Sequence, residues 1–153
     1  IELFTIIKYE LFEKSANEKA ALKPIILRYY NQNELIFSDR KYINNPIADI
    51  NIKGFTLIQI PRHYEKKIII KIFKPLTIYR VLCELNNNKI YENWEKASFN
   101  LDIKGTKGYC THKKVVKKYF LPQTLSLPPG GPISADPIFI DENITFKKKF
   151  QIL

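Results

Sequence analysis

Five of the chain's nine prolines crowd into the stretch Pro122–Pro137, with Pro128, Pro129 and Pro132 set around Gly130 and Gly131. Proline fixes φ and removes a backbone donor, so this stretch is neither regular helix nor central strand. It is expected to form a stiff, extended arm over 121–137 that wraps the body or a neighbour. The arm divides the 153 residues into a body at 1–120, the arm itself, and a C-terminal docking strand at 138–153. A chain of this length supports one domain with a sizeable core.

Hydrophobic spacing sets the expectations within the body. Leu3, Phe4, Ile7 and Leu11 lie on one helical stripe, and Ser15 with Glu18 forms a capping box for a short helix that ends before Pro24. Ile25–Tyr30 is apolar and reads as a strand or a buried turn of helix. Ile50–Ile60 alternates as a strand, with a bulge expected at Gly54 where the phase shifts. The β-branched run Ile68, Ile69, Ile70, Ile72 is its expected hairpin partner. Pro75 suits a first helical position, and Leu76, Tyr79, Leu82 and Leu85 then recur every three residues. That predicts a helix ending at Asn86. Tyr91–Ala97, with the sole tryptophan Trp94, reads as a further short helix. Phe99, Leu101 and Ile103 lead into the turn Lys104–Gly108, and Tyr109–Phe120 returns as the second hairpin partner. The expected fold class is therefore α+β: antiparallel β-hairpins packed with one to three helices, followed by an extended Pro-rich C-terminal arm.

Charge points to a partner. The net charge is +10, but residues 1–60 carry 8 basic and 7 acidic groups, 61–120 carry 14 and 5, and 121–153 carry 3 and 3. Nearly the whole excess lies in the middle third. The segment 104–118 has six lysines (Lys104, Lys107, Lys113, Lys114, Lys117, Lys118) and no acid. Such asymmetry predicts a polyanion partner better than total charge does. Arg62, Lys66, Lys67 and Lys71 add basic groups around the first expected hairpin, and Tyr109 and Tyr119 are candidates for base stacking. Lysine outnumbers arginine 21 to 4, which favours phosphate contact over base reading, because lysine is a point charge and not a planar fork.

Little points to chemistry. Lys104-Gly105-Thr106-Lys107-Gly108 lacks the Gly-Lys-Ser/Thr ending of a phosphate-binding P-loop. His63, Cys83, Cys110 and His112 match no zinc spacing, and the Cys110/His112 pair has no orienting acid or oxyanion loop beside it. No catalytic residue, metal or cofactor is expected. Cys83 and Cys110 can pair as a disulfide if the protein is exported, and are two free thiols otherwise. Asn143-Ile144-Thr145 is a glycosylation sequon that matters on the same condition. No apolar run reaches the length of a membrane-spanning helix, so no transmembrane segment is expected.

Ile, Lys, Asn, Phe and Tyr make up 76 of the 153 residues, a bias toward A/T-rich codons. The chain contains no Met, even at position 1. That leaves three readings open: a removed leader, a fragment, or a non-standard initiator. In composition the chain is similar in kind to ribosomal proteins of A/T-rich organelles. The leading expectation is a non-enzymatic RNA-binding structural subunit of a ribonucleoprotein, most plausibly a mitochondrial ribosome in the organellar matrix. It would contact the RNA phosphate backbone through the basic groups named above, and neighbouring protein subunits through 1–12 and 121–153. The alternatives are a secreted β-rich binding protein with a Cys83–Cys110 disulfide and an accessory subunit of another organellar or membrane-associated complex.

Overall fold

A computed structural model describes residues 25–30, 34–44, 51–86, 88–104, 111–131, 133–141 and 149–153. The helices expected at 3–14 and 15–22 lie outside the described residues, as does most of the Lys104–Gly108 turn. Among the described residues the structure is nearly all β, and this corrects the α+β expectation. The strands are β1 (Ile26–Tyr29), β2 (Ile43–Asn44), β3 (Thr56–Gln59), β4 (Ile68–Ile72), β5 (Leu76–Cys83), β6 (Glu95–Lys96), β7 (Ile103–Lys104), β8 (His112–Phe120), β9 (Gln123–Leu127), β10 (Ile138–Ile140) and β11 (Phe150–Ile152). The larger sheet runs β1-β3-β10-β5-β8-β7-β2, with β6 also beside β8, and curls into an antiparallel half-barrel. A smaller sheet runs β11-β4-β9.

The helix expected from Pro75 is the central strand β5. Its spacing satisfies two periods at once, since Leu76, Ile78, Arg80 and Leu82 also alternate, and all four are buried. Two features decide for the strand. Thr77, Ile78, Val81 and Tyr79 are β-branched or aromatic and fit a pleated surface. Both strand edges are also occupied: Ile78 pairs with Lys118 of β8 on one side and with Ile140 of β10 on the other. The short helix expected at Tyr91–Ala97 is likewise corrected. A single 3-10 turn spans Lys89–Tyr91, and Glu95–Lys96 then pairs with β8.

The hairpin expected between Ile50–Ile60 and Lys66–Phe73 does not form. β3 is inserted between β1 and β10, whereas β4 lies between β11 and β9 in the other sheet. Register explains the choice. The apolar residues Leu57 and Ile58 of β3 meet Phe139 and Ile138 of β10, while Ile68 and Ile70 of β4 meet Leu127 and Leu125 of β9. Gly54 is no bulge. It ends the turn that precedes β3, with φ +85°, a conformation glycine adopts without strain.

Both sheets feed one core. Ile68, Ile70, Ile72, Leu127, Phe150 and Ile152 of the small sheet join Leu57, Ile58, Ile78, Val81, Val115 and Phe139 of the large one. Each such residue contributes about 1.5–3 kcal/mol by leaving water. Truncating Phe139, which is fully buried and meets Tyr30 edge-on at 5.4 Å between ring centroids, would cost about 3–5 kcal/mol. Past β9 the proline-rich segment turns back along the sheet. Ala135 bridges to Gly130, and Pro137 accepts a bond from the Val81 N–H at 3.1 Å.

Candidate functional site

β8 carries the largest group of the basic residues singled out by sequence. Its pairing with β5 slips between Leu82↔Lys114 and Cys83↔His112, so Lys113 is the extra residue of a β-bulge. The bulge breaks strict alternation, and Lys113 and Lys114 are consecutive yet both exposed. Beyond it the alternation resumes. Lys117 and Lys118 are half-buried and point to opposite faces, and Tyr119 is 62% exposed. Lys118 Nζ lies 5.6 Å from the centroid of the Phe120 ring. Lys117 sits opposite Glu95 of β6, which sets one acid against the run. Thr77, Asn93, Glu95, Lys117, Lys118 and Tyr119 line a shallow cleft of about 330 Å³.

The remaining predicted residues are scattered. Lys104 is exposed on the neighbouring strand β7. Lys107 and Tyr109 lie outside the described residues. Lys66, Lys67 and Lys71 are exposed, but on or beside β4 in the smaller sheet, where the Lys71 ammonium lies 5.6 Å from the Phe73 ring centroid. Arg62 is buried. The structure thus brings Lys113, Lys114, Lys117, Lys118 and Tyr119 onto one strand with Lys104 on its neighbour. Lys66, Lys67 and Lys71 belong to the other sheet.

Sequence reasoning missed a buried polar network under the proline-rich segment. Arg80 on β5 is fully buried. It donates to the main-chain carbonyls of Pro128, Pro129 and Asp136, the last two at 2.8 Å, and its guanidinium lies 5.6 Å from the Tyr91 ring centroid. The Asp136 carboxylate accepts from the Cys83 N–H at 3.1 Å, from the Tyr91 hydroxyl at 2.8 Å and from Asn86 Nδ2 at 3.5 Å. Asn86 Nδ2 also donates to Ser134 O at 2.8 Å, and its Oδ1 accepts from Ile133 N. Burial pushes the Asp136 carboxyl above its ordinary range, even though the charge of Arg80 and these hydrogen bonds pull it down. Burial likewise pushes the Tyr91 hydroxyl up. One signal was legible: an arginine in the middle of an alternating apolar strand needs a buried counterpart.

His112, at the start of β8, is fully buried against Phe37. Burial lowers its pKa to about 4; the bond to Ala135 works against that shift and the charge of Arg62 adds to it. At neutral pH the ring is therefore uncharged. Nε2 lies 3.2 Å from Ala135 O and 3.3 Å from Ser134 Oγ. Because a carbonyl only accepts, Nε2 carries the proton and donates it. Ser134 Oγ in turn donates to Ala135 O at 3.0 Å. The imidazole nitrogen facing the serine is thus already protonated and is not poised to take its proton.

Cys83 is disulfide-bonded. The sequence holds one other cysteine, Cys110, which lies outside the described residues, as does the sequon at Asn143. Among the described residues no three His, Cys, Asp or Glu side chains gather as metal ligands, and no helix is long and apolar enough to cross a membrane. Comparison with known proteins finds no family model, no curated protein and no solved structure that matches the chain.

Proposed function

We propose that this chain is a secreted, non-catalytic β-rich binding protein held by a Cys83–Cys110 disulfide. The observation that carries this reading is the disulfide-bonded state of Cys83. Structural disulfides persist in oxidising compartments and are rare where thiols are kept reduced. The nearly all-β architecture is in keeping with such a protein. Support for a non-catalytic role comes from the polar groups of the interior. Arg80, Asp136, Asn86, Ser134 and His112 spend their hydrogen bonds on the chain's own backbone, or on each other. Binding then falls to the surface, where the lysines along β8 and Tyr119 offer positive charge and an exposed ring to an anionic partner. The reading is tested by recovering the protein from its source with thiols trapped. Protein from the extracellular or luminal fraction with both cysteines blocked to alkylation supports it. Protein from the cytosol or organelle matrix with two free thiols overturns it.

A second reading keeps the ribonucleoprotein expectation, and one observation favours it: Lys113 and Lys114 are exposed side by side, with Lys117 and Lys118 further along the same strand. Here the lysines neutralise RNA phosphates of an organellar ribosome, and the segments at the chain ends meet neighbouring subunits. Sedimentation of the native protein with and without RNase separates the two. An RNase-sensitive large particle supports the second reading, and a small species unmoved by RNase removes it.

A further inference from the structure

Arg62 follows β3 and is 8% exposed, yet its guanidinium meets no carboxylate within salt-bridge distance among the described residues. Among the described residues its one side-chain hydrogen bond is from Nη1 to His63 Nε2 at 3.2 Å, and Nε, like that of Arg80, is buried with no partner there. The guanidinium also lies 5.4 Å from the Tyr42 ring centroid, a contact that offsets part of the charge. Asp39 is nearby, but its carboxylate accepts from the Arg62 main-chain N–H. The contrast with Arg80 is direct. Arg80 has three carbonyl acceptors and a buried carboxyl within its network, whereas Arg62 has none of these. A buried cation left this way is costly unless an anion completes it.

Arg62 also lines an open cleft of about 240 Å³, together with His63, Tyr64, Glu65, Gly130 and Ser134. We propose that this cleft is a binding site for the oxyanion group of a small ligand, a phosphate or a carboxylate, taken by the Arg62 guanidinium. A guanidinium presents paired donors that match such groups in two parallel bonds. His63 is exposed at the same mouth and supplies a second donor when its ring turns its N–H to the ligand. Glu65 lines the same cleft and is exposed, so its charge opposes an anion there and water screens it only in part. The proposal stands apart from the β8 lysines and from the location of the protein, so it survives or fails independently of either reading above.

The test is titration of the full chain with sodium phosphate and with sodium acetate at constant ionic strength, followed by calorimetry and by thermal unfolding. Saturable binding of either anion is expected, with an unfolding midpoint that rises with its concentration by mass action. The arm that binds more tightly identifies the ligand group. Arg62→Gln is expected to weaken binding about tenfold or more. Glu65→Lys alters an exposed rim residue without touching the core, and it is expected to tighten binding about threefold. It localises the site even if Arg62→Gln does not fold. No saturable binding of either anion to the wild-type chain overturns the proposal, and so does binding that Glu65→Lys leaves unchanged.

Discussion

The Nη2 of Arg80 donates to the main-chain carbonyl of Asp136 at 2.8 Å, and the carboxylate of that same Asp136 returns to β5 to accept the Cys83 N–H at 3.1 Å. The two residues thus tie the proline-rich segment to the central strand at two points. Arg80 pairs in register with Ile138, so the reach to Asp136 is to the next residue on the same face. This arrangement orders a segment that lacks the donors to build its own ladder.

Removing the carboxylate tests the tie. Asp136→Ala leaves the Tyr91 hydroxyl and the Cys83 N–H without their acceptor and strips Arg80 of its nearest anion. A loss of about 3–5 kcal/mol is expected in urea unfolding. Tyr91→Phe removes a single bond to the carboxylate and is expected to cost about 1–3 kcal/mol. Equal, small effects of both would show that the network does not hold the segment.

His112 gives stability a pH dependence of known sign. Its folded pKa is near 4, below the ordinary 6.5, so the unfolded chain takes up this proton first as pH falls. The contribution is complete above about pH 6.5 and is lost progressively toward pH 4, by roughly 3 kcal/mol. The raised pKa of Asp136 acts in the opposite sense, because its protonation as pH falls relieves a buried charge. Urea midpoints of wild type and His112→Asn between pH 4 and 7 isolate the histidine. The difference between the two slopes should be largest between about 4.5 and 6. Parallel curves would contradict the neutral buried ring.

Gly130 has φ +141°, and a Cβ added there would lie 2.6 Å from the Asp136 main-chain nitrogen. Gly130→Ala is expected to destabilise by about 3 kcal/mol or more, from backbone strain and displacement of Asp136 together. At Gly54, φ is +85° and the nearest atom to such a Cβ is Tyr29 Oη at 3.4 Å. Gly54→Ala should therefore cost only about 1–2 kcal/mol. Thermal unfolding of the two variants measures the difference, and a reversed order would contradict the described turn at Gly130.

The β8 lysines are the contact residues in both functional readings, with Lys117 and Lys118 on opposite faces of the strand. Reversing Lys113, Lys114, Lys117 and Lys118 to Glu should abolish retention on immobilised polyanion, heparin or RNA, while far-ultraviolet circular dichroism keeps its strand signature. For RNA, the salt slope should fall by about 0.7 for every phosphate that the variant no longer neutralises. Unchanged elution would remove β8 as the contact strand.

Parts of this fold were legible in the residues, and others were masked by ambiguous spacing. The β-branched run at Ile68–Ile72 reads as a buried strand and is β4. Its partner could not be read, because β9 lies far along the chain in the proline-rich stretch and only the folded register brings Ile70 to Leu125. At β5, residues at intervals of three are apolar and those at intervals of two are apolar but for Arg80, so the spacing fits helix and strand alike, and the long-range pairing with β8 and β10 decided. The lysines of β8 were visible as charge, but Lys113 as the extra residue of a bulge was not. Asp136 was hidden for another reason. Its role depends on Arg80, Tyr91 and Cys83, which lie 45 to 56 residues before it. No local pattern announces such a meeting.

The bridge at Cys83 is tested by alkylating the native protein before and after reduction and reading the intact mass. No cysteine is expected to be alkylated before reduction and two after it, with a fall in stability on reduction of about 3–4 kcal/mol for a loop of the Cys83–Cys110 length. Two thiols alkylated without reduction would contradict the bridge.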